Sequence, residues 1–243
     1  MTAIRISNLT KDFGARRAVD DLTLSIADGE LFALLGPNGA GKTVTIKMLC
    51  CLLAPTSGDA VLLGDSIRTD PAAVKQKINL SPQETAVAPK LSVAENLELI
   101  ARIYGCPKGE ARSRTAELLE QLHLTDRAAE KARSLSGGLQ RRLSLGMALI
   151  TRPRIVFLDE PTLGLDVRAR RDLWRVLESI KGSTTVVLTT HYLEEAEALA
   201  DRIGIMHTGR LRALGTAEEL KQLTGTAAFE EAFLALTESG EQP

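Results

Sequence analysis

An α/β core interrupted by a helical subdomain is the fold class this sequence predicts, and three observations predict it. Short apolar runs bounded by turn residues recur from Ile4 to Met206 and read as strands. Segments with apolar residues at helical spacing separate several of them. The stretch from about Ser92 to Thr151 holds helical patterns and no convincing strand. A length of 243 residues, 44% of them hydrophobic and 25% charged, suits one large domain with a substantial core.

Taken in order, Ile4–Leu9 and Leu22–Ile26 read as early strands, expected to be antiparallel, followed by a strand at 31–35. A glycine-rich turn then leads into Ile46, Leu49, Cys50 and Leu53 at helix period. Strands are expected at 61–63 and 78–80. Ser92 and Glu95 make a capping box ahead of Val93, Leu97, Ile100, Ala101 and Tyr104, which share a helical face. Ala111, Thr115, Leu118, Leu119 and Leu122 repeat the pattern. A helix beginning near Leu139 carries Leu143, Met147 and Ile150 on one side. Strands are expected again at 155–158, 186–188 and 203–206, with a helix through Ala169, Leu173, Val176, Leu177 and Ile180 between the first two. Thr216 and Glu219 form a second capping box, opening a helical tail to about Leu236, and the last seven residues read as frayed. The expected organisation is a single domain, 1–243. Its α/β core is 1–84 and 152–215, its helical subdomain 85–151 and its C-terminal helical tail 216–243.

Thirty Lys and Arg against 31 Asp and Glu leave a formal charge of −1, which argues against nucleic acid as a partner, because nothing supplies a strong phosphate-neutralising field. No apolar run approaches the ~18 residues of a membrane span. The N-terminus has Lys and polar residues where a secretory signal needs continuous apolar sequence. Three cysteines, two of them adjacent (Cys50 and Cys51), make neither a disulfide framework nor a zinc spacing and read as reduced thiols packed as small hydrophobes. A soluble intracellular protein is expected.

Gly36-Pro37-Asn38-Gly39-Ala40-Gly41-Lys42-Thr43 fits the G-x-x-x-x-G-K-[ST] phosphate loop and lies between an expected strand and an expected helix. Gly36, Gly39 and Gly41 let the backbone, Asn38 included, wrap an anion with its N–H groups, and the helix adds its positive end. Lys42 is placed to reach the β- and γ-phosphates and Thr43 to hold Mg²⁺. Ile155-Val156-Phe157-Leu158-Asp159-Glu160 is a buried-strand pattern ending in two carboxylates, which alternation turns to different sides. Asp159 is the natural Mg²⁺ partner, and Glu160 is positioned to orient or deprotonate an attacking water. Leu135-Ser136-Gly137-Gly138 precedes a helix and offers a hydroxyl and bare N–H groups to an anion.

These motifs, with His191, occur in the order and spacing of an ABC-transporter nucleotide-binding subunit, and the likeness covers almost the whole chain. The resemblance implies the ABC ATPase fold: a P-loop NTPase with a RecA-like core, an N-terminal antiparallel β portion and an inserted helical subdomain. It places Phe13 where an aromatic stacks on adenine, with Val19 lining the same face; the alternative is a core Phe near a strand end. It makes Gln83 a contact to Mg²⁺ or the attacking water, and His191 a hydrogen-bond partner of the γ-phosphate. It assigns Ser136, Gly137 and Gly138 to ATP bound by the opposite subunit of a head-to-tail dimer, formed with a second copy or a paralogous ATPase subunit. Leu163-Gly164-Leu165-Asp166 resembles the loop that crosses to that subunit, and Asp166 can also cap the helix from Val167. The implied cofactors are ATP and Mg²⁺, the partners membrane permease subunits meeting a groove near Gln83 and residues 84–89. The implied location is cytoplasmic, peripheral on the inner face of the cell membrane.

The chain departs from the family's pattern in three places. Val44 stands where a hydroxyl usually reaches the α-phosphate, a loss of about one hydrogen bond, roughly 0.5–1.5 kcal/mol. Leu139 stands where many members carry Gln, and Cys51 replaces a usual Gly, which is expected to lengthen the first helix slightly. The runs 161–167 and 189–196 resemble ABC-2 type exporters; the alternative is a soluble ABC ATPase acting as a mechanical or assembly factor.

Overall fold

A computed structural model describes residues 1–238. The chain opens with strands β1 (Thr2–Phe13), β2 (Arg16–Ala27) and β3 (Leu31–Leu35), helix α1 (Lys42–Leu49), and strands β4 (Ser57–Leu62) and β5 (Asp65–Ser66). Helix α2 (Pro71–Lys77) and strand β6 (Ile78–Ser81) lead to three helices, α3 (Val93–Ile103), α4 (Lys108–Gln121) and α5 (Gly137–Leu149). The core resumes with β7 (Ile155–Asp159), α6 (Val167–Ile180), β8 (Thr185–Thr190), α7 (Leu193–Leu199), β9 (Arg202–His207) and β10 (Arg210–Gly215), and ends with α8 (Ala217–Thr224) and α9 (Phe229–Glu238).

The strands make two sheets. Order β2-β1-β4-β5 forms an antiparallel sheet, as expected of the early strands, with Ile4 opposite both Ile26 and Leu62. Order β10-β9-β3-β8-β7-β6 forms the second, parallel except at β10. All five residues of β3 are buried, the signature of a parallel strand covered on both faces. Leu31, Ala33 and Leu35 pack with helical residues such as Leu97, Leu143 and Leu177, whereas Phe32 and Leu34 pack with Ile4, Leu22 and Ile46. The parallel sheet is thus sandwiched between the helices and the antiparallel sheet with α1.

Both capping boxes form: Ser92 with Glu95, and Thr216 with Glu219. Several expectations need correction. Helix α1 stops at Leu49, because Cys51 sits at φ 54, in the left-handed region; the cysteine ends the turn instead of lengthening the helix. Helix α5 starts at Gly137, not near Leu139, with Ser136 as its cap. Tyr104 caps α3 and is exposed rather than on its buried face. The tail is two helices, since Gly225 at φ 70 terminates α8. Of the residues expected to fray, Thr237 and Glu238 belong to α9, and 239–243 lie outside the described residues. Strand β10, unanticipated, returns through Thr208 and Gly209, whose φ of 48 and 80 suit a two-residue hairpin turn. No helix among the described residues is long and apolar enough to cross a membrane.

Candidate nucleotide site

The carboxyl edge of the parallel sheet collects the functional side chains. The glycine-rich loop follows β3, Gln83 follows β6, Asp159 ends β7, and His191 follows β8. Ligands of open parallel sheets bind at this edge, where loops diverge.

Glycine is required at two loop positions. A Cβ on Gly36 would lie 2.2 Å from the Met206 carbonyl oxygen, and one on Gly41 would lie 2.5 Å from that of Ala18, at φ 101. No side chain caps α1, so its first N–H groups face the cavity that the loop encloses. That cavity, about 260 Å³, is lined by Phe13, Asn38, Gly39, Gly41, Lys42, Thr43 and Val44, with Gln83 and Glu160 across from them. Gly36 contributes its carbonyl, which accepts from Lys42 Nζ at 2.7 Å. Lys42 also donates to the Pro37 carbonyl at 3.2 Å and lies 3.2 Å from Glu160 Oε1.

Asp159 and Glu160 take different partners, though not by simple alternation. Asp159 Oδ1 accepts from Thr43 Oγ1 at 3.0 Å and from Thr189 Oγ1 at 2.6 Å. Glu160 turns out of the strand at φ 49, its N–H donating to Thr189 Oγ1, and its Oε2 lies 2.8 Å from His191 Nδ1. Glu160 therefore stands between a lysine and a histidine, next to a threonine–aspartate pair. Among the described residues no group of three or more His, Cys, Asp or Glu forms a ready-made metal cage. A hydroxyl and a single carboxylate are nonetheless the hard-oxygen donors Mg²⁺ takes when phosphates complete its shell.

Phe13 is 49% exposed, with Lys11 Nζ 5.2 Å from its ring centre, so the core alternative does not hold. Val19 does not line the cavity. It is fully buried between the sheets, and Ala18, one residue earlier on the alternating strand, faces the loop instead. Ser136 and Gly137 are exposed at the start of α5 and do not line the cavity of their own chain. Asp166 caps α6 through Ala169 N–H at 2.9 Å. His123 is exposed, and His207 is half-buried with no partner for Nδ1.

Sequence reasoning missed four contributors. Thr189 was detectable, since the apolar run 186–188 continues into it. Arg16 overhangs the loop from β2, and only strand alternation against Arg17, which pairs with Asp12 and Asp20, hints at that. Arg141, 4% exposed, spreads its guanidinium over backbone carbonyls behind Gln83 and Glu160, and no local pattern marks it. Glu195 is fully buried, accepting from Trp174 Nε1 at 3.2 Å, and burial pushes its carboxyl above the ordinary glutamate range.

A glycine cradle at a helix start, with a lysine inside it and an acid–histidine pair facing it, places the chain among the phosphate-loop nucleoside triphosphatases. Within that class the chain belongs to the ABC transporter family, whose profile, described as ABC transporter, matches residues 19–163. It is an ATP hydrolase. The chain is similar to the daunorubicin resistance ATP-binding protein DrrA3 of Streptomyces coeruleorubidus, 44% identical over 92% of this chain and 71% of the relative. The linearmycin resistance ATP-binding protein LnrL of Bacillus subtilis is 41% identical over 89% of this chain and 70% of its own. A solved ATP-binding subunit of an ABC transporter superposes with TM-score 0.86 at 29% identity, covering 97% of this chain and 99% of that one. A dimeric ATP-binding cassette in a post-hydrolysis state, bound to ADP and Pi, matches with TM-score 0.78 at 27% identity, covering 88% and 98%.

Proposed function

We propose that this chain powers an exporter, hydrolysing ATP as a head-to-tail dimer against a separate permease at the inner face of the cell membrane. Phe13 covers the adenine, the loop from Gly36 to Gly41 and Lys42 hold the phosphates, and the partner's Ser136, Gly137 and Gly138 close over them. Thr43, Asp159 and Gln83 would hold Mg²⁺, which when bound would neutralise charge on the phosphates.

The observation that carries the hydrolytic step is the Glu160 carboxylate, which lines the cavity and is held between Lys42, also in its wall, and His191 behind it. A bound triphosphate competes with Glu160 for Lys42, leaving the carboxylate to take a proton from water. That water attacks the γ-phosphorus, the bond to the β-phosphate oxygen breaks, and ADP and phosphate leave. His191 Nδ1 steadies the carboxylate and Gln83 completes the site.

Export is supported by the two resistance ATP-binding proteins among the relatives. Docking to a permease is supported by an apolar groove beside Gln83, lined by Leu80, Ala86, Ile100, Tyr104 and Met147 at the seam of α3, α5 and β6. Ile103, 66% exposed, extends this apolar surface. Purification of the tagged chain from detergent-solubilised membranes tests the reading. An integral membrane protein retained in stoichiometric amount is expected. Recovery solely from the soluble fraction, in complex with a soluble partner, would point instead to a mechanical or assembly factor.

A further inference from the structure

The Arg141 guanidinium makes five hydrogen bonds, and every acceptor is a backbone carbonyl. Nε donates to Pro161 O at 2.8 Å, Nη1 to Pro82 O and Gln83 O at 2.6 and 2.9 Å, and Nη2 to Asp159 O and Glu160 O at 2.8 and 2.9 Å. These oxygens belong to two segments remote in sequence: the turn after β6, with Gln83, and the turn after β7, with Glu160. At the second turn Glu160 sits at φ 49, a conformation a non-glycine residue holds only where its surroundings over-determine it. The planar five-donor fork of arginine is the side chain suited to binding so many carbonyls at once; a lysine has three donors on one atom. The third body in this contact is α5 itself, which begins at Gly137 behind its cap Ser136.

We propose that Arg141 is a positioning residue for hydrolysis, fixing the backbones of Glu160 and Gln83 to helix α5. It does not line the nucleotide cavity and acts through those two residues. Because the start of α5 closes on the nucleotide of the partner subunit, Arg141 also carries the seating of that nucleotide to the Glu160 of its own chain. This second statement rests on the two-subunit reading above.

Two assays on purified protein test it. In Arg141→Lys or Arg141→Gln, kcat should fall about thirtyfold or more, while the Kd for ATP stays within about threefold, because the nucleotide's own contacts are untouched. A folded variant with kcat within about threefold of the unsubstituted protein would overturn the proposal. Loss of cooperative melting in both variants would also overturn it, by assigning Arg141 to folding alone.

The second assay mixes variants. Mixing Ser136→Arg with Lys42→Ala should restore part of the activity, since one site of the heterodimer then lacks both lesions. Mixing Arg141→Lys with Lys42→Ala should restore none, because the Arg141 lesion and the Glu160 it positions lie in the same chain. Restoration in this second mixture would overturn the proposal, showing that Arg141 serves only the cap at Ser136. Failure of the first mixture, despite demonstrated heterodimers, would overturn the two-subunit reading and the proposed transmission with it. The kcat–Kd split then decides the positioning role alone.

Discussion

Val44 touches two environments at once, lining the nucleotide cavity and packing against the core beneath α1. A threonine is nearly the same shape and adds one donor toward the cavity. Val44→Thr should therefore tighten ATP and ADP by similar, several-fold factors, on the order of 1 kcal/mol, as equilibrium titration would record. Unchanged affinity with a lower melting temperature would mean that the new hydroxyl is buried without a partner. Glu195 offers a pH-dependent counterpart. Burial, reinforced by the nearby Glu160 charge, holds its pKa above the ordinary 4.5 against opposing side-chain hydrogen bonds, that of Thr190 first and that of Trp174 among them. The folded chain then binds that proton more tightly than the unfolded one, so its stabilising contribution is lost as pH rises through the raised value. Glu195→Gln should melt above the unsubstituted protein by a margin that grows as pH rises above the ordinary glutamate value of 4.5. A constant margin would contradict the assignment. At this scale the phosphate loop, Asp159, Glu160 and His191 were legible because each sits in a motif tied to a strand end. Val19 misled because one step along a strand reverses the face, and Arg141 and Glu195 were hidden because burial of a charge leaves no local pattern.

Among the elements, the helices between β6 and β7 depend on a close approach that only a missing side chain allows. A Cβ on Gly146 of α5 would lie 2.4 Å from Leu122 Cδ1 and 3.1 Å from Leu97 Cδ2, the points where α5 meets the end of α4 and the middle of α3. Gly146→Ala should therefore destabilise the protein by about 1–3 kcal/mol, overpacking outweighing the gain in helix propensity. A denaturant midpoint unchanged or raised would show that the helices separate without strain. Elements with periodic apolar faces and capping boxes, such as α3 and α8, were readable from their residues. The short α2 and α7 and the half-polar β10 were not, since each takes its order from a neighbour: β10 pairs along β9, and α7 packs on β3. The break at Gly225 was likewise missed because one glycine in a helical pattern is tolerated as often as it terminates.

For the whole molecule, the account makes one chain supply the phosphate cradle and the base while its partner supplies the lid. The parallel sheet aligns the loop after β3 with Asp159, Glu160 and His191, and the helices carry Ser136–Gly138 away from that cavity. Glu160→Gln separates binding from chemistry, because the amide keeps the shape of the side chain but cannot accept the proton from water. The decisive measurement is the mass of this variant in solution with ATP, taken together with its rate of hydrolysis. The account predicts ATP-dependent dimers that persist and a hydrolysis rate reduced by about a hundredfold or more, within the range by which removing a positioned base slows catalysis. Full turnover by Glu160→Gln, or a variant that binds ATP and remains monomeric, would contradict it.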